Sequence, residues 1–222
     1  VIIQYANITG EGCPYAVDVQ DNYTNVVIRY SKISNGTSSA VKAAFDGGST
    51  HIYKNQIYGT GIDAIKIWSN VTVQQNYITK VGYIPNKHAD GVQIVGGKNN
   101  IIAANNFDML NNDGINSQCL MAKADNAPLS HLSFRQNWVR GAGQCVQIRA
   151  KSGGAHPAPS NYEVLYNKFG CGHQFTPTVV LDGTIDKHFR GNYYLNYPYD
   201  PGSTLCSDER IQGQYLPGQS GI

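Results

Sequence analysis

Apolar positions along the chain recur in two short phrases. The first is an apolar residue, two residues, an asparagine, one residue and a second apolar position. It reads Ile52…Asn55…Ile57, Val73…Asn76…Ile78, Ile102…Asn105…Phe107, Phe134…Asn137…Val139, Val164…Asn167…Phe169 and Phe189…Asn192…Tyr194. Ser31 and Ala6 hold the same phase upstream. The second phrase falls between these and alternates apolar with small or polar residues. Its copies are Tyr15-Ala-Val-Asp-Val, Ser39-Ala-Val-Lys-Ala, Asp63-Ala-Ile-Lys-Ile, Asp90-Gly-Val-Gln-Ile, Asp113-Gly-Ile-Asn-Ser and Gln144-Cys-Val-Gln-Ile, with a weaker one at Pro177-Thr-Val-Val-Leu.

Alternation with period two is a strand signal. Each repeat therefore holds two or three short strands joined by turns. The Asn-to-Asn steps are 21, 29, 32, 30 and 25 residues, so coil length varies while phase is kept. One such unit cannot bury its apolar face alone, and successive units must stack. An asparagine repeated at one phase can bond its copies in the coils before and after, satisfying amides that would otherwise be buried unpaired.

These features resemble the right-handed parallel β-helix (pectin-lyase-like) superfamily. The resemblance implies an all-β, single-domain solenoid of about seven coils with an Asn ladder. At about 4.8 Å per coil the rod would be roughly 34 Å long. The repeat covers residues 1–196. Residues 197–222 are expected to form an irregular tail packed on the helix or capping it.

Composition agrees with strands and turns. There are 24 Gly and 15 Tyr but only three Glu (Glu11, Glu163, Glu209), and charged residues are 14% of the chain. Net charge is +2, without a basic block, which disfavours nucleic acid as a partner. No apolar run is long enough for a membrane-spanning helix. The five Cys show no zinc-ligand spacing. One disulfide, of Cys145 with Cys119 or Cys171, is expected if the protein is secreted, extracellular or periplasmic. The opening Val1-Ile2-Ile3 is read as the start of a mature or trimmed chain. A monomer is expected.

Chemistry is expected beside the second phrase. With Val41, Ile65, Ile67, Val92, Ile94, Val146 and Ile148 facing inward, two columns would face outward. One is small (Ala16, Ala40, Ala64, Gly91, Gly114, Cys145) and one polar (Asp18, Lys42, Lys66, Gln93, Asn116, Gln147). Together they would make a flat polar floor suited to an extended polymer. Long stretches at Lys80–His88, Gln118–Ser130 and Arg149–Ser160 are expected as loops, bringing Tyr83, His88, Lys123, Arg149, Lys151 and His156 to its rims.

Asp63, Asp90 and Asp113 share one phase just before the floor. Neighbouring coils would set such carboxylates about 5 Å apart, a spacing that needs a cation, a shared proton or backbone donors. Three functions fit this phase: a ladder of Asx turns, a pair of catalytic acids, or a Ca²⁺ site made by all three. Thr60-Gly-Ile-Asp63, His88-Ala-Asp90-Gly and Asn112-Asp113-Gly resemble the aspartate segments of family 28 glycoside hydrolases. Gln147-Ile-Arg149-Ala-Lys151 is similar to their basic segment. The chain departs from that family in lacking an adjacent Asp-Asp pair and a Gly-His-Gly on a following coil.

Lys66 in the groove is instead similar to the basic residues of β-helix polysaccharide lyases. That resemblance implies β-elimination on a uronate-containing polysaccharide, often with Ca²⁺. Lys66 and His88 are then candidates for proton transfer, with the aspartates positioning them. Substrate would be held by Lys42, Tyr83, Gln93, Asn116, Gln147, Arg149 and Lys151. The alternatives are a glycoside hydrolase using paired Asp carboxylates and a non-catalytic glycan-binding β-helix.

Overall fold

A computed structural model describes residues 1–21, 23–43, 48–109, 118–150, 154–170, 179–181 and 189–194. These residues contain strands and turns and no helix. The chain winds through three parallel sheets in turn. Sheet A collects the strands Ile2–Gln4, Val26–Arg29, Thr50–Tyr53, Val71–Gln74, Gly97–Ala103, Leu129–Arg135, Ser160–Leu165 and Phe189–Arg190. Sheet B also has eight strands, from Asn7–Thr9 to Tyr193–Tyr194, and sheet C has seven, from Tyr15–Val19 to Val179–Leu181. This is the right-handed parallel β-helix expected from the repeats, and the coil count is close to seven. The expected tail at 197–222 lies outside the described residues.

Register explains the repeated apolar positions. In sheet A, Ile28, Ile52, Val73, Ile102, Phe134 and Val164 pair in succession and are all fully buried. In sheet B, Ile33, Ile57, Ile78, Phe107, Val139 and Phe169 do the same. Like residues stack on like, so every coil extends one continuous core.

The asparagines form the ladder. Asn76 Oδ1 accepts from the backbone N of Asn55 at 3.0 Å and from its Nδ2 at 3.1 Å. The same double bond recurs from Asn76 to Asn105, Asn105 to Asn137, Asn137 to Asn167 and Asn167 to Asn192. The second Nδ2 proton goes to a strand carbonyl, as in Asn137 to Ile102 at 3.0 Å. Ser31 ends the ladder: its N donates to Asn55 Oδ1, and its Oγ accepts from Ala6 N at 3.2 Å. Each position of the ladder from Ala6 to Asn167 follows a left-handed residue, namely Tyr5, Tyr30, Lys54, Gln75, Ala104, Gln136 and Tyr166, with φ between 52° and 55°. That conformation costs an ordinary residue about 1–2 kcal/mol, and the buried amide bonds offset it.

Three expectations about sheet C are corrected. The strand of the fifth coil is Gln118–Ala124, where a loop was expected at Gln118–Ser130. Its neighbour in sheet A, Leu129–Arg135, also begins inside that stretch. The small column faces the core. Ala40, Ala64, Cys119 and Cys145 are fully buried, and a Cβ on Gly91 would lie 2.7 Å from Phe107 Cδ1. The chain turns a corner here, so register partners are formed on either side of this column and not at it. Finally, Cys119 and Cys145 are free thiols inside the core, which removes the expected bond between them; Cys171 lies outside the described residues.

Candidate functional site

The corner leading into sheet C carries a second ladder, made of carboxylates. Asp63 Oδ1 accepts the backbone N–H of Asp90 at 3.0 Å, and Asp90 Oδ1 accepts that of Gln118 at 3.1 Å. Asp63 is 2% exposed and Asp90 not at all. The Asx-type ladder is therefore real, and it occupies one oxygen of each carboxylate.

The second oxygen of Asp90 turns to chemistry-bearing groups. Asp90 Oδ2 lies 3.1 Å from His88 Nδ1 and accepts from Gln93 Nε2 at 3.4 Å. His88 is held there by the segment between Val81 and Asp90. Gly82 N and Tyr83 N donate to Thr60 O, and Ile84 N to Gly61 O, pinning that segment to the preceding coil. The His88 side chain remains 38% exposed while that of Asp90 is fully buried, so His88 is the reachable member of the pair.

Burial and charge act on Asp63 and His88. Burial, with the charge of Asp90 beside it, pushes the Asp63 carboxyl up to about 8, against weaker opposing effects from the Asp90 N–H, Lys66 and His88. Asp63 is thus protonated at neutral pH. Burial lowers His88, but the hydrogen bond and charge of Asp90 outweigh it and hold the imidazole above its ordinary value; Lys123 opposes and Asp63 assists. Two carboxyls and a histidine sit within one corner.

The floor of sheet C runs Asp18, Lys42, Lys66, Gln93, Met121, Gln147 and Val180 in register. Lys66 stands in the coil before the His88–Asp90 pair. Lys123 stands in the coil after it, with Arg149 its partner one coil further on. Cations therefore flank the pair along the rod axis. Lys42 is engaged elsewhere: its Nζ lies 3.2 Å from Asp18 Oδ1 and 5.2 Å from the Tyr15 ring centroid. Gln147 donates to Gln144, and Tyr83 is half exposed on the segment that carries His88.

The family assignment rests on most of this chain. Residues 15–176 match the family described as right handed beta helix region. The chain belongs to that family. Among solved structures, this right-handed β-helix is similar to the catalytic unit of a thermostable GH87 alpha-1,3-glucanase from Streptomyces thermodiastaticus. Identity is 12% and the TM-score 0.40, over 92% of this chain and 51% of that one, so the β-helix spans about half that unit's length. Among curated proteins none matches.

Of the residues expected at the site of this β-helix, the structure brings Asp63, Lys66, His88, Asp90 and Gln93 together. Asp113, Asn116 and Lys151 lie outside the described residues. The position in register with Asp90 belongs to Gln118, not Asp113, and the floor position expected for Asn116 belongs to Met121. Of the three carboxyls expected to hold Ca²⁺, Asp63 and Asp90 each give one oxygen to a backbone N–H, and Asp113 lies outside the described residues. Gln118 was the missed rung. Its signal was the dipeptide Gln118-Cys119, repeated as Gln144-Cys145.

Proposed function

We propose that the protein is a polysaccharide-degrading enzyme. In this reading it cleaves a uronate-containing chain by β-elimination on the sheet C face. The observation that carries it is the His88–Asp90 contact at 3.1 Å, flanked along the rod by Lys66 and Lys123. With Nδ1 held by Asp90, neutral His88 presents Nε2 as a base of raised strength. It takes the C5 proton of a uronate; the electron pair forms the C4=C5 bond as the C4–O bond breaks. The departing oxygen takes a proton from the Lys66 ammonium or from water. Lys66, Lys123 and Arg149 supply positive charge for the uronate carboxylates, whose acidity at C5 rises when their charge is neutralised. Such a substrate places the enzyme outside the cytoplasm.

One observation favours a second reading. Asp63, raised to about 8, lies in the coil next to Asp90, and a glycoside hydrolase pairs a carboxyl of raised value with a second carboxyl. Both carboxyls are buried, however, whereas His88 is reachable. The two readings separate in one assay on alginate, pectate and glucuronan. Elimination raises ultraviolet absorbance with each cut, because the product is unsaturated. New reducing ends without absorbance overturn elimination. Lys66→Ala and Asp90→Asn with unchanged turnover would remove the catalytic assignment altogether and leave a glycan-binding β-helix.

A further inference from the structure

A second cluster, where the chain enters sheet A, has no part in the chemistry above. It spans three successive strands, Gly97–Ala103, Leu129–Arg135 and Ser160–Leu165. Asn99, Ile101, His131, Ser133, Asn161 and Glu163 line a cleft of about 510 Å³. That volume lies within the range of about 300–1,000 Å³ typical of small-ligand sites.

Backbone shape builds the wall. Asn99, His131 and Asn161 are left-handed, with φ of 59°, 52° and 51°. They hold one position of successive coils, between the pairs Lys98↔Ser130 and Asn100↔Leu132, then between Ser130↔Ser160 and Leu132↔Tyr162. The residue after each (Asn100, Leu132 or Tyr162) is buried, while Asn99, His131 and Asn161 are exposed. Ile101, Ser133 and Glu163, two positions further on, pair in register and are half-buried. Hydrogen bonds hold these groups without exhausting them. Asn99 Nδ2 donates to Asn70 Oδ1 at 3.0 Å, which leaves Asn99 Oδ1 as an acceptor. Glu163 Oε1 accepts from Ser133 Oγ at 2.6 Å, which leaves Oε2. His131 Nδ1 lies 3.1 Å from Ser130 Oγ, which leaves Nε2, and Asn161 adds an exposed amide. The lining contains one carboxylate and no lysine or arginine.

This set of groups suits hydroxyls. A carboxylate oxygen accepts an O–H in a short, charge-assisted bond, and carboxamides and an imidazole both donate and accept. Ile101 supplies an apolar side chain between them for the C–H face of a ring. The charge of Glu163 disfavours a carboxylate or sulfate ligand, because like charges brought together are costly. A metal ion would need more ligands, and no group of three His, Cys, Asp or Glu residues able to hold one exists among the described residues. We infer that this cleft is a binding site for a neutral sugar residue. Its ring lies over Ile101, one hydroxyl meets Glu163 Oε2, and neighbouring hydroxyls meet His131 Nε2 and the Asn161 amide. The site lies at the entry to sheet A, whereas His88 and Asp90 lie at the entry to sheet C, and its ligand differs in charge from the uronate proposed there. It would hold a neutral branch or neutral segment of a glycan on the rod.

The test titrates the whole isotope-labelled chain with cellohexaose, maltohexaose, laminarihexaose, mannohexaose and xylohexaose, and with hexagalacturonate as an acidic control. Backbone amide chemical shifts locate binding, and calorimetry measures it. At least one neutral hexamer should bind and move the signals of 99–101, 131–133 and 161–163, which hexagalacturonate should leave in place. Glu163→Gln keeps an acceptor for Ser133 but loses the charge, and should weaken that binding about tenfold or more, as should His131→Ala. Each variant should keep the wild-type melting temperature; where one does not, the wild-type shift map decides. No neutral hexamer bound at these residues, hexagalacturonate moving them as strongly, or unchanged affinity in both variants overturns the inference. Cleavage separates the two sites. Neutral sugar bound here with no uronan cleaved by the wild type removes the proposed function alone, and uronan cleavage with no neutral sugar bound removes this site alone.

Discussion

His88 Nδ1 lies 3.1 Å from Asp90 Oδ2, while Asp90 Oδ1 accepts the backbone N–H of Gln118 at 3.1 Å. One carboxylate thus joins a structural rung to a solvent-reachable imidazole. The imidazole inherits its orientation from the stacking of the coils.

The pH dependence of cleavage follows from that link. His88 is held above its ordinary value, and only its neutral form is a base, so kcat/KM should rise as pH rises through that elevated value. Asp90→Asn keeps an oxygen for the Gln118 rung but removes the charge. Burial then dominates, and the ascending limb should move to lower pH. His88→Ala should lower kcat by about 10²–10⁴-fold, the usual range for loss of a general base. A pH–rate profile of the three proteins checks both statements.

Asp63 should leave its mark on stability. Its folded-state value of about 8 lies above the ordinary 3.8, so the folded chain holds a proton that the unfolded chain releases. The corresponding stability is complete below pH 3.8 and is lost as pH rises to about 8. Asp63→Asn keeps the acceptor for Asp90 N–H and cannot ionise. Its melting temperature relative to wild type should therefore climb across that window and level off above it. Retained elimination by the same variant agrees with the lyase reading, and its loss points to Asp63 as an acid.

The amide ladder should be costly to interrupt. Asn137→Ala strands the buried N–H of Asn105 and the carbonyl of Ile102, at about 1–3 kcal/mol each. Chemical denaturation should show a loss of about 2–5 kcal/mol. Asn137→Ser should lose less, because Ser31 already serves as a rung with its hydroxyl.

Gly91→Ala probes the corner from inside. The new methyl would meet Cys119 O and Phe107 Cδ1, both at 2.7 Å, in a fully packed core. Overpacking of this kind costs about 1–3 kcal/mol. Thermal unfolding measures it, and because Gly91 adjoins Asp90, kcat should fall as well.

The ladder and the apolar columns were readable from sequence because both are enforced at every coil. Asn55 through Asn192 must keep phase or leave buried amides unpaired, and their spacing shows it. The fifth coil of sheet C was misread for a physical reason. Asp113-Gly114 imitates Asp90-Gly91, yet an Asp-Gly pair is as much a turn signal as a strand opening. Alternation alone could not choose between it and Gln118-Cys119. The small column failed differently: Ala64 and Gly91 turn inward because the strand bends at a corner, and a pattern of period two contains no corners. The His88–Asp90 contact was foreshadowed by their separation of two residues, but its strength comes from burial, which sequence does not display.

The ladder also governs how such a chain can change over time. Its rungs stay in step although the intervals between them run from 21 to 32 residues, so differences in coil length are absorbed between the rungs. Insertions and deletions at one corner leave the neighbouring coils in register. New segments over the sheet C face can therefore be sampled one coil at a time, with the hydrogen-bonded spine acting as a ruler indifferent to what is spliced between its marks.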